Sequence, residues 1–100
     1  MELLVTYYLK ENNAESFLNE LAKVGIPQKV REEKGCIKYE YFVSAERNDT
    51  VMLIEKWESK IMQALHMSQP HMKCLLEIKN KYVARTTVQN VIDQQPFCVS

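Results

Sequence analysis

Two segments of the chain, residues 3–9 (LLVTYYL) and 51–57 (VMLIEKW), carry large β-forming side chains at both odd and even positions. In a strand, odd and even side chains point to opposite faces of the sheet. A strand that is bulky on both faces usually lies inside a sheet that is covered on both sides. The sequence therefore predicts two central strands and a layer against each face of the sheet.

The remaining segments predict two helical regions and two further strands. Helical spacing begins after Asn12 or Asn13, and Gly25 and Pro27 predict a break before another helical turn at 28–33. The other predicted elements are an edge strand at 36–43, a polar connection at 46–49, a short helix through 60–66 capped by Ser59, a helix opened by Pro70 that runs to about Lys81, and a strand at 82–90. We expect Ile61, Met62, Leu65 and His66 to face inward on the short helix, and Met72, Leu75, Leu76 and Ile78 on the next.

This order, β-α-β-β-α-β, predicts a ferredoxin-like α+β fold with a four-stranded antiparallel sheet. Its first and third strands are central, and they are the same two segments that are bulky on both faces. The 100 residues form one predicted domain, 1–100, with 91–100 as a C-terminal extension. The helices cover one face of the sheet and leave the other apolar, so we expect a homodimer that packs sheet against sheet. Whether the extension reaches that interface stays open.

Charge and cysteine content bear on partners and compartment. Thirteen basic residues balance thirteen acidic ones, which argues against nucleic acid or an anionic membrane as a partner. The N-terminal region lacks the pattern of a secretory signal, and no segment approaches the ~20 apolar residues of a membrane helix. Cys36, Cys74 and Cys98 are odd in number and form no paired motif, so we expect free thiols and a cytoplasmic protein.

Three motifs carry a family resemblance. They are Gly35-Cys36 at the start of the second strand, Glu55-Lys56-Trp57-Glu58 at the end of the third, and His66-Met67-Ser68-Gln69-Pro70-His71 between the last two helices. Together they resemble the antibiotic biosynthesis monooxygenase (ABM) family of dimeric α+β barrels, most of all its quinol monooxygenase branch. Met67 and Gln69 replace the usual Leu and Thr. The haem-degrading branch has an Asn in the first strand where this chain has Thr6, Tyr7 and Tyr8, so haem degradation is not expected.

The resemblance implies a monooxygenase that needs no cofactor and acts on small aromatic or quinol substrates with O₂. His66 is the candidate catalytic base, because an imidazole can take up and release a proton near neutral pH. The candidate substrate-binding residues are Trp57, His71, Tyr41, Tyr7 and Glu55. Trp57 could stack on a planar ligand, and backbone N–H groups beside His71 could hold a phenolate. Each of these residues would also fit an ordinary core or turn role.

Two other functions stay open. The fold could carry an isomerase of a small phosphorylated or hydroxy-ketone metabolite, for which Arg85 or Lys73 would hold the phosphate, or a dimeric small-molecule-binding module without catalysis. His66, His71 and Cys74 are close in sequence, but we expect no metal site, because the two histidines are five residues apart and Pro70 starts a new helix between them. Nucleotide-binding loops are excluded, since the chain has only the glycines Gly25 and Gly35.

Overall fold

The computed structural model describes residues 1–91. Its elements, in chain order, are β1 (Glu2–Leu9), α1 (Ala14–Val24), α2 (Ile26–Arg31), β2 (Cys36–Val43), β3 (Thr50–Trp57), α3 (Lys60–Met67), α4 (His71–Tyr82) and β4 (Val83–Val91). This is the predicted β-α-β-β-α-β order, with each helical region divided into two helices. Of the predicted C-terminal extension, only Val91, which ends β4, is among the described residues. Cys98 lies outside them.

The four strands form one antiparallel sheet in the order β2-β3-β1-β4. The predicted central position of the first and third strands is therefore confirmed. Side chains alternate between buried and half-buried along β1, and Val5 is paired with Leu53 of β3 and Val88 of β4. The odd-numbered residues of both central strands form the inner face of the sheet, which packs against the helices.

The break between the first two helices is confirmed. Gly25 ends α1 with a φ of 81°, a left-handed conformation that few residues other than glycine adopt easily. Pro27 follows in the first turn of α2, where a missing N–H costs no helical hydrogen bond. The bend lets both short helices bury apolar side chains against one core, among them Phe17, Leu21, Ile26 and Val30.

The predicted inward faces of the last two helices are wrong in three positions. Ile61 and Leu65 of α3 are 71% and 52% exposed, and Leu76 of α4 is 55% exposed. Each precedes or follows an inward residue, and one position along a helix rotates a side chain by about 100°. On α3 the side chains of Met62 and the buried His66, which are four residues apart, face the core.

The outer face of the sheet keeps the apolar character that the sequence predicts. Leu4, Met52 and Ile54 are half-buried there, and Phe42 is 39% exposed. The Arg85 guanidinium lies on the same face, 4.2 Å from the centre of the Tyr8 ring. None of the helices described between residues 1 and 91 is long and apolar enough to cross a membrane.

Candidate active site

A glutamate that follows α2 joins the two histidines of the chain. Glu33 Oε2 lies 2.9 Å from His66 Nδ1 and 2.7 Å from His71 Nε2. A carboxylate can only accept hydrogen bonds, so both ring nitrogens carry the proton and donate it. The predicted separation of the histidines by Pro70 holds along the chain, but the fold brings both rings to one carboxylate.

The local backbone fixes Glu33. Its N–H donates to the Val30 carbonyl and its own carbonyl accepts from the Cys36 N–H, so the residue is held in the turn between α2 and β2. Gly35 completes this turn with a φ of 87°, and its carbonyl accepts a 2.8 Å hydrogen bond from the Glu58 N–H beyond β3. The turn that carries Glu33 is thereby tied to the end of β3.

His66 is held on several sides. It is 2% exposed, and the centre of its ring lies 4.6 Å from that of Trp57, with the planes inclined by 32°. The Tyr39 ring meets it at an angle of 61°, with the ring centres 6.0 Å apart. Because Nδ1 donates to Glu33, the neutral ring leaves Nε2 as the nitrogen without a proton. This nitrogen can therefore act as a base.

Glu55 lies beside the free nitrogen of His66. Its Oε1 is 3.8 Å from His66 Nε2 and accepts a 3.1 Å hydrogen bond from Trp57 Nε1. Burial raises the pKa of the Glu55 carboxyl, while the hydrogen bond from Trp57 and the nearby His66 oppose that rise. The indole N–H of Trp57 therefore satisfies one of the carboxylate oxygens of this buried glutamate.

A cavity of about 160 Å³ lies between the inner sheet face and the last two helices. A site of about 150 Å³ lined by apolar side chains can hold a benzene ring, so this volume suits one aromatic ring. His66 and Glu55 lie in the polar part of its wall. The other lining residues are Leu3, Val5, Tyr7, Tyr39, Gln63, Met67, Met72, Leu75, Lys79, Thr86 and Val88.

The tyrosines of the inner face are held as neutral phenols. Burial raises the pKa of Tyr7 and of Tyr39, and it raises that of Tyr41 to about 12. The hydroxyl groups of Tyr39 and Tyr41 are 3.0 Å apart and share a hydrogen bond. Tyr7 and Tyr39 line the cavity. These phenols can donate hydrogen bonds to a ligand without losing their protons near neutral pH.

Lys79 of α4 brings a cation to the same cavity. Its ammonium nitrogen lies 5.3 Å from the centre of the Tyr7 ring. Burial lowers the pKa of Lys79, and the Glu55 carboxylate opposes that effect. By contrast, Arg85 lies on the outer face and Lys73 is exposed, so neither of the cations named from the sequence lines this cavity.

The cavity adjoins an open groove of about 370 Å³ along α3 and α4. Met67, Met72, Leu75 and Lys79 line both spaces and separate them. The rest of the groove is formed by Ser68, Gln69, Pro70, Lys73 and Leu76.

The residues predicted for the site are therefore close together, in two positions relative to the cavity. Tyr7, Glu55 and His66 line it. Trp57 and Tyr41 contact lining residues from behind, since Trp57 stacks on His66 and Tyr41 shares a hydrogen bond with Tyr39. His71 is one step further away, because it contacts Glu33, which in turn bonds to His66. The Trp57 ring, 1% exposed, packs on His66, where the sequence suggested that it stacks on a planar ligand.

Glu33 and Lys79 belong to the site but were not among the residues predicted for it. Lys79 follows Leu75 by four residues and Met72 by seven, so it lies on the inward face of α4, and helical spacing could have identified it. Glu33 has no such signal, since it lies in a turn and its partners are 33 and 38 residues away.

Glu33, His66 and His71 also form a group that could bind a metal ion, because one ligand atom from each lies within 4.8 Å of the others. Cys74, considered beside the histidines in the sequence, is exposed and belongs to a separate surface with Glu20, Lys23 and Lys81.

Comparison with known proteins gives one family and a set of similar folds. The model of the antibiotic biosynthesis monooxygenase family matches residues 2–77. No curated protein matches the chain. Among solved structures, one from Pseudomonas aeruginosa is 18% identical with a TM-score of 0.80, and the match covers 94% of this chain and 93% of that one.

Two further structures extend the comparison. A protein from Shewanella oneidensis is 25% identical with a TM-score of 0.76, covering 88% of this chain and 84% of its own. A candidate antibiotic biosynthesis monooxygenase from Deinococcus radiodurans is 16% identical with a TM-score of 0.76, covering 99% and 100%. At these identities the structures establish the fold, and they carry no information on the substrate.

Proposed function

Since this chain belongs to the antibiotic biosynthesis monooxygenase family, we propose that it is a cofactor-independent monooxygenase of small aromatic or quinol substrates. The observation that carries the proposal is the Glu33–His66 pair at the wall of a ring-sized cavity. The pair sets the proton on Nδ1 and leaves Nε2 free beside the space for the ring.

The chemistry needs a base, an apolar enclosure and O₂. His66 Nε2 removes the hydroxyl proton of a hydroquinone, and the resulting anion is electron-rich enough to pass one electron to O₂. Combination of the two radicals forms the new carbon–oxygen bond. One hydroquinone and one O₂ give one hydroxyquinone and one water, so the substrate supplies all the electrons. Lys79 and the neutral phenol of Tyr7 would stabilise the anion.

The quinol monooxygenase branch is the specific assignment that we favour. Segments 55–58 and 66–71 resemble that branch, and the cavity walls combine phenols, methionines and a base. Cys36 and Cys74 are free thiols, which supports a cytoplasmic location.

The test is O₂ uptake by the purified protein with a panel of benzo- and naphthohydroquinones. We expect uptake with at least one compound and a loss of about 100-fold or more in His66→Ala. Lys60→Ala, an exposed change on the same helix, is the control and should keep full activity. No turnover of any compound, or full activity in His66→Ala, would contradict the proposal.

We also propose that the protein is a homodimer joined through the outer sheet face. Leu4, Met52, Ile54 and Phe42 form an apolar surface there, which is costly to leave in water. Packing this surface against its copy leaves the cavity, which lies on the inner side, complete within each protomer.

An isomerase acting on a phosphorylated or hydroxy-ketone metabolite is the second candidate. Lys79 favours it, because it supplies the inward cation that such a substrate needs. His66 would then move a proton between two carbons without O₂. Conversion of a substrate under strict anaerobic conditions would favour the isomerase, and binding without turnover in either assay would indicate a binding module.

A further inference from the structure

We propose that Glu33, His66 and His71 form a binding site for Zn²⁺ or a similar borderline transition-metal ion, and that occupancy of this site switches off His66 as a base. The second half of this inference rests on the proposed function, whereas the first half rests on geometry alone.

The distances are close to those of a metal site. The Glu33 oxygen that bonds to both rings lies 2.9 and 2.7 Å from the two nitrogens. Tetrahedral Zn²⁺ with bonds of about 2.0–2.1 Å holds its ligand atoms roughly 3.3 Å apart. One ligand atom from each residue lies within 4.8 Å of the other two, so the side chains have to shift from their hydrogen-bonded positions before one ion can hold all three at that spacing. Both nitrogens already point to the same place.

The donor set selects the class of ion. Two imidazole nitrogens and one carboxylate oxygen suit Zn²⁺ and its neighbours in the first transition row, whereas Mg²⁺ and Ca²⁺ prefer oxygen ligands alone. Three protein ligands leave a fourth position for water, as in zinc sites that are not closed by protein. The side chains of His66, His71 and Glu33 are 2%, 13% and 10% exposed, so the three ligands are brought together in a mostly buried position.

Coordination changes which nitrogen of His66 holds the proton. A neutral imidazole that binds a metal through Nδ1 keeps its proton on Nε2. In the metal-free protein Nδ1 donates to Glu33 and Nε2 is free. Metal binding therefore moves the proton to the nitrogen that faces Glu55 and the cavity. The carboxylate of Glu33 then binds the metal instead of accepting hydrogen bonds from the two rings. Each neutral ring keeps one proton, on its other nitrogen, so the protein loses no proton overall.

The direct test is titration of the metal-free protein with Zn²⁺ by calorimetry, with Mg²⁺ as the negative probe. We expect one Zn²⁺ per chain, no binding of Mg²⁺, and at least a 100-fold weaker Zn²⁺ affinity in Glu33→Gln and in His71→Ala. Cys74→Ser removes an exposed thiol, and it should bind Zn²⁺ as the unaltered chain does. Circular dichroism checks that each variant is folded.

A second measurement uses Co²⁺ in place of Zn²⁺, because its visible spectrum reports the number and type of ligands. A tetrahedral nitrogen–oxygen spectrum that disappears in Glu33→Gln is expected. Absence of Zn²⁺ binding, or binding that Glu33→Gln and His71→Ala leave unchanged, would overturn the proposal.

The consequence for activity is measured separately. With a substrate from the hydroquinone panel, stoichiometric Zn²⁺ should reduce O₂ uptake at least tenfold, and a chelator should restore it. Uptake that Zn²⁺ leaves unchanged or increases would refute the switch. If Zn²⁺ binds as expected and no compound is turned over, the metal site stands and the proposed monooxygenase fails. If the metal-free protein is active and binds no Zn²⁺, the proposed monooxygenase stands and the metal site fails.

Discussion

Glu33 and His66, which are 33 residues apart in the chain, meet as a hydrogen-bonded pair in which both carboxylate oxygens lie within 3.1 Å of Nδ1. The pair joins the turn after α2 to the last turn of α3. It fixes the orientation and the tautomer of a ring that is almost fully buried. The chemistry available at the cavity depends on this one contact more than on any other.

Replacing Glu33 by Gln should lower kcat by about 10- to 100-fold, within the range that general base catalysis supplies. An amide can offer its NH₂ group to Nδ1, which reverses the hydrogen bond and moves the ring proton to Nε2. KM should change little, because Glu33 does not line the cavity. O₂ uptake against substrate concentration separates the two parameters.

The control for that change is Glu32→Gln, since Glu32 is the exposed neighbour of Glu33. It should keep wild-type kcat and KM. An equal fall of kcat in both variants, or a Glu33→Gln effect confined to KM, would show that Glu33 does not position the base.

Gly35→Ala should destabilise the fold by about 2 kcal/mol or more, measured by urea unfolding. Gly35 has a φ of 87°, and an added Cβ would lie 2.6 Å from Met62 Cβ and would also overlap Met62 Cγ. These atoms are close to the backbone of α3, so relief requires the helix to move. Since Gly35 follows Glu33 by two residues, activity should fall as well.

Gly25→Ala is the matched control. Gly25 has a similar φ of 81°, but an added Cβ would meet nothing within 4 Å. Only the backbone strain of about 1 kcal/mol then remains. Equal losses of stability in the two variants would show that contact with Met62 is unimportant.

Glu55 should make the stability of the protein depend on pH. Burial raises the pKa of Glu55 in the folded state above its ordinary value of 4.5. The folded state then binds this proton more tightly than the unfolded chain does. Its contribution to stability is complete below the ordinary pKa and is lost as pH rises through the higher folded-state pKa.

The variant Glu55→Gln keeps an oxygen acceptor for Trp57 and does not titrate. Its stability relative to wild type should therefore increase as pH rises from about 4 to 7. Thermal unfolding across this range measures the difference, with the exposed Glu58→Gln as the control. Parallel stability curves for wild type and Glu55→Gln would rule out a raised pKa.

Ile54→Lys should convert the proposed dimer into a monomer. Light scattering should give twice the chain mass of 11.7 kDa for the wild type and the single chain mass for the variant. The reason is that a charge in the middle of the apolar outer face would be desolvated on association. Ile61→Lys, at a helix position that is 71% exposed, should stay dimeric. A wild-type monomer at micromolar concentration would exclude the interface.

The strand order and the central position of β1 and β3 could be predicted from the sequence. Both depend on local signals, namely side chains that alternate between the two faces of a strand and large side chains on both faces. Ser59 as the cap of α3 was accessible for the same reason, and its hydroxyl accepts the Met62 N–H at 3.2 Å. The helix faces were predicted less well. Ile61 and Leu65 are apolar but exposed, and apolar identity alone does not tell which side of a short helix meets the sheet.

The site was accessible only in part. His66, Glu55 and Trp57 stand out by residue type and motif. Glu33 was hidden among the charged residues of segment 31–34, and only the folded chain brings the turn after α2 to the two histidines.

The partition between the cavity and the outer groove consists mainly of the flexible side chains of Met67, Met72 and Lys79, together with Leu75. Each of those three side chains can swing aside by rotation about its own single bonds, on a timescale of picoseconds to nanoseconds where it is exposed. Passage of a ring from the groove into the cavity then needs no hinged loop. A slow turnover would accordingly reflect bond-making at the ring, with admission of the substrate already at equilibrium.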